Sequence, residues 1–268
     1  MGAYCSAIWR CRYFWLALVR MDLRSRYRGS VLGMGWSLLQ PIAMTAIICL
    51  VFCRLFNLSV AEMAGYVLVG LACWNYILTA LLQGCQCFFQ GESYIRQFPA
   101  PMAIYPLRTV LAAAFHLLVA LVVGFALALL AGGRENWSPE ALLTLPLTFL
   151  LFLLAGWSLA VLAGLSTVFF RDTRHLAEVT FQVVFYLTPI FYPKALLASH
   201  RLSWIIDWNP VVPFLELVRL PIGAVTGHAG AAIPGLDMFA RAAFVTLLLT
   251  GGAVFALTRL EKRLIFHL

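Results

Sequence analysis

The chain has 268 residues, of which 63% are hydrophobic and only 11% charged; its formal charge is +8 and its mean hydropathy is +0.91. Because a water-soluble domain carries about a quarter charged residues, this composition excludes a soluble globular enzyme. The same values exclude a disordered chain, and the length and cysteine content exclude a small disulfide-rich scaffold. The sequence therefore predicts an all-α integral membrane protein, with one transmembrane domain over residues 1–268.

The first 35 residues predict a cytoplasmic segment that lies in the membrane interface. Apolar and aromatic side chains between residues 7 and 19 are interrupted by two arginines, which is typical of an amphipathic interfacial helix. The same arginines exclude the apolar stretch of a removable signal peptide. Arg24, Arg26 and Arg28 follow at the level of the lipid headgroups, where we expect them to face lipid phosphates.

Six intervals without charged residues predict membrane-spanning helices. A span needs about 20 residues to cross the hydrocarbon core, and an ionised side chain at its centre costs about 2.5–3.5 kcal/mol. The fifth interval is short, with 15 residues between Glu178 and Lys194. The interval between Arg219 and Asp237 is rejected because its prolines and glycines make a poor helix. The predicted spans are 36–53, 64–89, 108–131, 142–169, 177–193 and 238–258.

The basic residues set the predicted orientation. With the N-terminus in the cytoplasm, 13 of the 19 Lys and Arg residues fall on the inner side, in agreement with the positive-inside rule. An even number of spans then places the C-terminus in the cytoplasm as well. The positive charge therefore reflects topology and contact with anionic membrane lipids, and nucleic acid is not an expected partner.

The chain lacks the motifs of nucleotide, metal and hydrolase sites. It contains no G-x-x-x-x-G-K-[ST] sequence, so we expect no cofactor bound by this chain. The cysteines lack partners suited to a metal site, and no nucleophile-elbow motif is present. His116 is the candidate ionisable residue within a span, where a lone histidine more often hydrogen-bonds a neighbouring helix than relays protons. No catalytic residue is predicted.

Three further stretches differ from plain spans. Residues 90–107 combine a glycine break, a short mixed stretch and several prolines, which predicts a small helix on the membrane surface or an ordinary interhelical loop. Residues 170–175 carry alternating charges at the inner end of the fourth span. The outer segment 194–237 is too long and too apolar for a simple connector, and its residues 203–218 predict re-entrant half-helices.

Four motifs of the chain resemble those of the type-2 ABC transporter permeases, in the branch that exports O-antigen, capsule and related polysaccharides. They occur in the order and at the spacing of that family and together cover most of the chain. The motifs are D-L-R-S-R-Y-R-G-S-V-L-G-M-G-W with a later proline (22–41), Y-I-R-Q-F-P-A-P-M-A-I-Y-P-L (94–107), F-R-D-T-R-H (170–175) with Y-L-T-P-I-F-Y-P (186–193), and N-P with F-L-E-L-V-R (209–219).

This resemblance implies the membrane subunit of an ATP-driven exporter in the bacterial inner membrane. Two copies of the chain would pair with two cytoplasmic ABC ATPase subunits, which bind ATP and Mg²⁺. The substrate would be an undecaprenyl-linked glycan that moves from the inner to the outer leaflet. The N-terminal amphipathic helix would also contact the ATPase.

The resemblance also implies roles for two sets of residues. Family members often carry several basic residues in the coupling helix that docks on the ATPase, whereas this chain has only Arg96 there. The coupling set is Glu92, Ser93, Tyr94, Ile95, Arg96, Gln97 and Phe98. The outer re-entrant segment would gate the channel on the periplasmic side, and its set is Trp204, Trp208, Asn209, Pro210, Glu216 and Arg219.

A channel for a polysaccharide favours aromatic walls. Sugars present C–H faces that stack on rings, and a sliding polymer needs many weak contacts. Aromatic belts at the membrane interface explain Trp and Tyr near span ends equally well. The channel-lining candidates are Trp36, Trp74, Tyr76, Phe185, Tyr186 and Tyr192.

Three other functions stay open at this point. A permease for another amphiphile, such as teichoic acid or a drug, would share this architecture. A membrane-embedded glycosyl- or acyltransferase would need a polar catalytic cluster at a span end, and Arg171, Asp172 and His175 are the candidate group. A passive scaffold would have no ATPase partner.

Overall fold

All regular elements are helical in the part of the chain that the computed structural model describes, which comprises residues 2–30, 33, 35–56, 59–97, 100–131, 139–192, 203–226 and 233–264. In lipid, a helix satisfies its own backbone polar groups, which accounts for this architecture. A 3₁₀ turn, Pro139–Thr144, precedes the eighth helix. The helices are α1 (Gly2–Arg10), α2 (Arg12–Tyr27), α3 (Gly35–Phe56), α4 (Val60–Gly84), α5 (Cys87–Gln90), α6 (Glu92–Gln97), α7 (Ile104–Ala131), α8 (Leu145–Phe169), α9 (Thr173–Leu187), α10 (Ser203–Trp208), α11 (Val212–Thr226) and α12 (Leu236–Leu264).

Within the described ranges, five segments are long and apolar enough to cross a membrane: Gly35–Leu55, Met63–Gly84, Ile104–Leu127, Glu140–Phe169 and Leu236–Glu261. They overlap the first four predicted spans and the last one. The predicted fifth span, 177–193, falls on α9, which has 15 residues and is shorter than the roughly 20 residues of a typical span. The described residues thus contain five candidate spanning helices by length and composition, and the sixth span stays a prediction.

Helix α4 lies at the centre of the bundle. Of its apolar stretch, 67% is buried within the chain, against 22% for α3 and for α12. It contacts α3, α7, α8, α9 and α11. Small residues allow the closest of these approaches, since a Cβ on Gly84 would meet the backbone of Ala160 in α8. Such contacts are typical of helix packing in membranes, where small residues let backbones come together.

Helix α11 continues through Pro221 to Thr226, so the prediction of a poor helix directly after Arg219 is wrong for these residues. A proline inside a helix leaves the carbonyl four residues earlier without its amide donor. Here that carbonyl belongs to Leu217, and the hydroxyl of Thr148 donates to it from α8 at 3.5 Å. The same hydroxyl also donates to the carbonyl of Thr144 at 3.0 Å, so the contact from α8 compensates only in part for the amide that the proline lacks. Helices α10 and α11 occupy the described part of the outer segment 194–237.

The cysteines serve as small apolar side chains. The six whose environments are described are free thiols: Cys11 is partly buried, and Cys49, Cys53, Cys73, Cys85 and Cys87 are buried. Within the same described part of the chain, no group of three His, Cys, Asp or Glu side chains is arranged to hold a metal ion.

Candidate functional site

Helices α1, α2, α5 and α6 lie at one end of the bundle, which we call the α6 end. Helix α5 stops at Gly91, and the chain turns directly into α6. A Cβ on Gly91 would overlap the ring of Tyr105, at the start of α7. The glycine therefore allows the turn to lie flat against α7.

Helix α6 has one face held by the protein and one face exposed. Ile95 is buried, and the ring of Tyr94 packs edge-on against Phe14 of α2 with centroids 5.9 Å apart. On the other face, Arg96 and Glu92 form an ion pair of 2.9 Å, with 58% and 40% of their side chains exposed. Ser93 and Gln97 are exposed as well. Phe98, the last residue of the predicted coupling set, lies outside the described residues.

Arg108 ties α2 to the turn before α6. Its Nε lies 3.5 Å from Oδ2 of Asp22, and its Nη2 donates to Oε1 of Gln90 at 3.5 Å. The first contact is an ion pair without hydrogen-bond alignment, because Nε of Arg108 has no hydrogen-bond partner among the described residues. Burial raises the pKa of Asp22 above its ordinary value, and the charge of Arg108 opposes this shift.

A second tie joins α1, α12 and the loop before α7. The hydroxyl of Tyr4 donates to Oε1 of Glu261 at 2.9 Å, and the same oxygen accepts from the amide of Met102 at 3.1 Å. The amide of Ala103 donates to the Tyr4 hydroxyl at 3.4 Å. Burial raises the pKa of Tyr4, and the negative charge of Glu261 adds to this effect. The α6 end is thus held together by polar contacts between elements distant in sequence.

The three arginines predicted to face lipid phosphates point in two directions. Arg24 and Arg28, together with Arg20, line an open groove of about 620 Å³ along one face of α2, which we call the outer groove of α2. Residues four apart share one face of a helix, so these three form a stripe. Arg26 lies on another side of α2 and lines a cavity within the bundle.

This cavity, which we call the inner cavity, has a volume of about 380 Å³ and lies between the end of α2 and helices α3, α4 and α7. Two of the predicted channel residues, Trp36 and Tyr76, line it. The hydroxyl of Tyr76 donates to the carbonyl of Phe152 at 2.8 Å. Tyr76 therefore contributes mainly its aromatic ring to the cavity lining. The lining consists of Arg26, Ser30, Trp36, Ser37, Gln40, Pro41, Ala72, Asn75, Tyr76, Leu78, Thr79, Ala113, His116, Leu117 and Ala120.

The other four predicted channel residues belong to a separate aromatic cluster between α4 and α9. Trp74 contacts Phe185 with ring centroids 5.3 Å apart, and Phe185 contacts Tyr186 at 5.4 Å. Tyr192 donates its hydroxyl hydrogen to the carbonyl of Tyr186 at 3.0 Å. The structure therefore does not bring the six aromatic residues to a common surface within one chain.

Arg219 organises the opposite end of the bundle, which we call the α11 end. Its guanidinium donates to three main-chain carbonyls, of Tyr66 at 3.2 Å, Pro189 at 2.7 Å and Ile190 at 2.9 Å. It lies 3.6 Å from the centroid of the Tyr66 ring and 3.7 Å from the carboxylate of Glu216. With 7% of the residue exposed, this buried charge depends on its partners. We call these five residues the Arg219 hub.

Asn209 connects the turn between α10 and α11 to the same region. Its Nδ2 donates to Oγ1 of Thr188 at 2.8 Å, and its Oδ1 accepts from the amide of Val211 at 2.9 Å. The Thr188 hydroxyl in turn donates to the carbonyl of Val184 in α9 at 2.7 Å. The end of α9 is therefore held to α11 by two adjoining polar networks.

The predicted gate residues thus divide into two groups. Asn209, Glu216 and Arg219 are buried and hold helices together. Trp204 and Trp208 are 60% and 84% exposed, and Pro210 is also exposed. The first group has a structural role within the chain, whereas the second forms an outward surface.

The charged cluster that would serve an enzyme lies on the protein surface. Arg171 and Asp172 are exposed, and His175 is exposed and 3.7 Å from Glu178. Arg174 pairs with the same Glu178 at 3.1 Å. Exposed pairs three and four residues apart are typical of a solvated helix face. This geometry supports a helical cap more than an enclosed catalytic site.

Several residues of these sites were not singled out from the sequence. Gln40, Asn75 and Thr79 line the inner cavity, and polar side chains within apolar spans were the available signal. The partners of Arg219, namely Tyr66 and the segment after α9, are distant from it in sequence and meet it only in the folded chain. No local sequence pattern therefore identifies them.

A match to a known protein family identifies this chain. The family model described as ABC-2 type transporter matches residues 13–222, which includes α6, the inner cavity and the Arg219 hub. This chain belongs to the ABC-2 type transporter family. It is accordingly a multi-pass membrane protein and an ABC-2 permease subunit.

Relatives of this ABC-2 permease carry names from polysaccharide export. Two proteins of Klebsiella pneumoniae, both named O-antigen export system permease protein RfbA, are 23% and 22% identical over 200 residues, or 75% of this chain and 76% of each relative. A protein of the same name from Myxococcus xanthus is 22% identical over 209 residues, or 78% of this chain and 79% of that protein.

Proposed function

We propose that this permease is the membrane subunit of an ATP-driven exporter that moves lipid-linked polysaccharide of the O-antigen type across the bacterial inner membrane. Family membership supports a permease that works with ABC ATPases. The names of the relatives support the substrate class. Because the sequence contains no P-loop, ATP and Mg²⁺ bind to two partner ATPase subunits in this proposal, and two copies of the permease form the channel.

The geometry of α6 is the observation that carries the proposal. Tyr94 and Ile95 hold this helix to the bundle, whereas Glu92, Ser93 and Arg96 face outward. A rigidly anchored helix with an exposed polar face can transmit a movement of its partner to the membrane helices. Glu92–Gln97 is therefore the coupling helix in our proposal, and the α6 end faces the cytoplasm.

The remaining topology follows from this orientation. Both chain ends then lie on the cytoplasmic side, and α9 together with the segment after it forms the sixth span. Helices α10 and α11 enter the membrane from the periplasmic side without crossing it. The exposed Trp204 and Trp208 suit the membrane interface, and this segment gates the outer mouth of the channel.

Co-expression with an ABC ATPase encoded beside the permease gene tests the proposal. We expect the two proteins to purify together through a tag on the permease, with ATP hydrolysis that lipid-linked polysaccharide stimulates. An Arg96→Ala/Gln97→Ala variant should lose most of the stimulated hydrolysis, because it changes only the outward face of α6. Arg259→Ala, which removes an exposed arginine of α12, is the matched control and should retain it. A well-folded permease that binds no such ATPase would refute the proposal.

A further inference from the structure

The inner cavity lies beside the end of α2 and extends along α4. Thr79 and Asn75 lie five and nine residues before the end of α4, so they are about 8 and 14 Å along the helix from that end. The cavity volume of about 380 Å³ falls in the range of small-molecule sites, roughly 300–1,000 Å³. Its described lining residues all belong to one chain.

Two amide side chains of the cavity lining are accessible, since Gln40 is exposed and Asn75 is partly buried. No hydrogen bond among the described residues uses the side-chain amides of Gln40 and Asn75. Each amide offers both donors and an acceptor, which matches the alternating donors and acceptors of sugar hydroxyl groups.

The electrostatics of the cavity favour an anion at its mouth. Arg26 lines the cavity near the end of α2, and the lining that the structure describes includes no carboxylate. The ion pairs found among the described residues leave the Arg26 guanidinium without an acidic partner, since Asp22 pairs with Arg108. A planar guanidinium binds a phosphate through two parallel hydrogen bonds. Arg26 is therefore placed to accept a phosphate group.

The apolar part of the lining leaves room for a ring. Ala72, Ala113 and Ala120 contribute short side chains to the lining, and Trp36 and Gln40 line it one turn apart on α3. Sugar C–H faces stack on aromatic rings, whereas their hydroxyl groups bind amides. The lining thus combines an aromatic surface, amides and a guanidinium in one pocket.

We propose that the inner cavity binds the phosphosugar head of a lipid-linked glycan within each permease chain. This inference rests on the proposed function and specifies where the substrate first docks. Arg26 binds the phosphate, Trp36 stacks against the first sugar, and Gln40 and Asn75 bind its hydroxyl groups. The prenyl chain stays in the surrounding lipid.

Binding to the permease alone tests this site. The permease is placed in phosphatidylcholine nanodiscs, and a farnesyl-diphosphate-linked disaccharide is titrated and counted by native mass spectrometry. We expect one probe per chain, affinity at least tenfold weaker in Arg26→Ala, and affinity several-fold weaker in Asn75→Leu. Arg20→Ala removes a matched arginine from the outer groove of α2 and should stay within twofold of the wild type.

A second measurement needs no variant. A diazirine on the sugar of the same probe should cross-link to peptides that contain residues 36–41, 72–79 or 113–120. Cross-links in the outer groove of α2, equal affinity for farnesyl diphosphate without sugar, or equal displacement by phosphatidylglycerol would each overturn the inference. So would equal losses in Arg26→Ala and Arg20→Ala.

The two proposals fail separately because this binding assay contains no ATPase. If the ATPase couples to the permease but the probe does not occupy the cavity, only the inner-cavity inference falls. If the probe occupies the cavity but no ATPase associates, the exporter proposal falls and the binding site stands.

Discussion

The guanidinium of Arg219 lies directly against the backbone of Gly70, so that a Cβ at position 70 would overlap Nη2. Gly70 is in the middle of α4, where a glycine costs about 0.5–1 kcal/mol relative to alanine. The absence of a side chain there makes space for the guanidinium that hydrogen-bonds Tyr66, Pro189 and Ile190. The Arg219 hub therefore depends on a residue that makes no polar contact with it.

Gly70→Ala should destabilise the permease. The overlap costs about 1–3 kcal/mol, as for other overpacked cores, which exceeds the helix-propensity gain of alanine. We expect a lower midpoint of thermal unfolding in detergent. Gly251→Ala in α12 is the matched control, because a Cβ there meets nothing within 4 Å, and its midpoint should be unchanged or higher. Equal midpoints for the wild type and Gly70→Ala would contradict the described packing.

A double-mutant cycle isolates the contact between positions 70 and 219. Arg219→Gln should cost about 3–5 kcal/mol, because it removes one member of a buried ion pair with Glu216. In that background Gly70→Ala should cost nothing, since the atom it would overlap is gone. The coupling between the two changes, measured from the same unfolding midpoints, should therefore be about 1–3 kcal/mol. Additive effects would show that the two residues do not share a contact.

The tie between Tyr4 and Glu261 should weaken in alkali. Burial and Glu261 raise the pKa of Tyr4 in the folded protein above the value of about 10 in the unfolded chain. The folded state then holds this proton more tightly, so the stabilisation is fully present below about pH 10 and is lost as the pH rises through the folded pKa. We expect Tyr4→Phe to be less stable at pH 8 and to show a smaller loss between pH 10 and 11.

Tyr13→Phe is the control for this pH series. Tyr13 also lies in the N-terminal segment, but its side chain is exposed. Its replacement should leave the wild-type dependence of the unfolding midpoint on pH unchanged. If both tyrosine variants follow the wild-type curve, the hydrogen bond to Glu261 does not contribute to alkaline stability.

Reversing the ion pair of α6 separates helix stability from partner binding. A Glu92→Arg/Arg96→Glu swap keeps a pair at the same spacing, which is worth about 0.3–0.5 kcal/mol on an exposed helix. The unfolding midpoint should therefore stay within one degree or so of the wild type, whereas ATPase binding should fall at least tenfold. ATPase binding equal to that of the wild type would mean that the ion pair stabilises α6 but does not contact the ATPase.

Most of the membrane architecture could be predicted from the sequence, because charge in a span is costly and leaves long uncharged intervals. A short uncharged interval is less decisive, as for α9 with its 15 residues. The prolines and glycines after Arg219 also hide the helix that continues to Thr226. There the hydroxyl of Thr148, from another helix, contacts the carbonyl that Pro221 leaves without an amide donor, and such a tertiary contact leaves no trace in a local pattern.

Helical periodicity could have refined two of the site predictions. Arg26 is two residues from Arg24 and Arg28, and residues two apart on a helix face different ways. The structure accordingly separates Arg26 from the other two. The same rule separates Trp74 from Tyr76, which lie on different surfaces of α4.

The contacts of the Arg219 hub could not be predicted from a local sequence pattern for a different reason. Arg219 and Tyr66 are 153 positions apart, and the guanidinium contacts main-chain carbonyls of Tyr66, Pro189 and Ile190. Any residue type can present a carbonyl at those positions, so the side chains there give no signal. The sequence located the motif, whose role as an outer gate stays a prediction, but it could not show that the buried members hold α4, α9 and α11 together.

The burial of five cysteines decides how motion in this permease can be followed. Cys49, Cys53, Cys73, Cys85 and Cys87 are shielded from water, and a thiol reacts with maleimide only when it is reached and deprotonated. Fluorescent or spin labels at new cysteines therefore need only Cys5 and Cys11 replaced by serine. One label on α6 and one on α10 would then report whether the two ends of the bundle move together during a transport cycle.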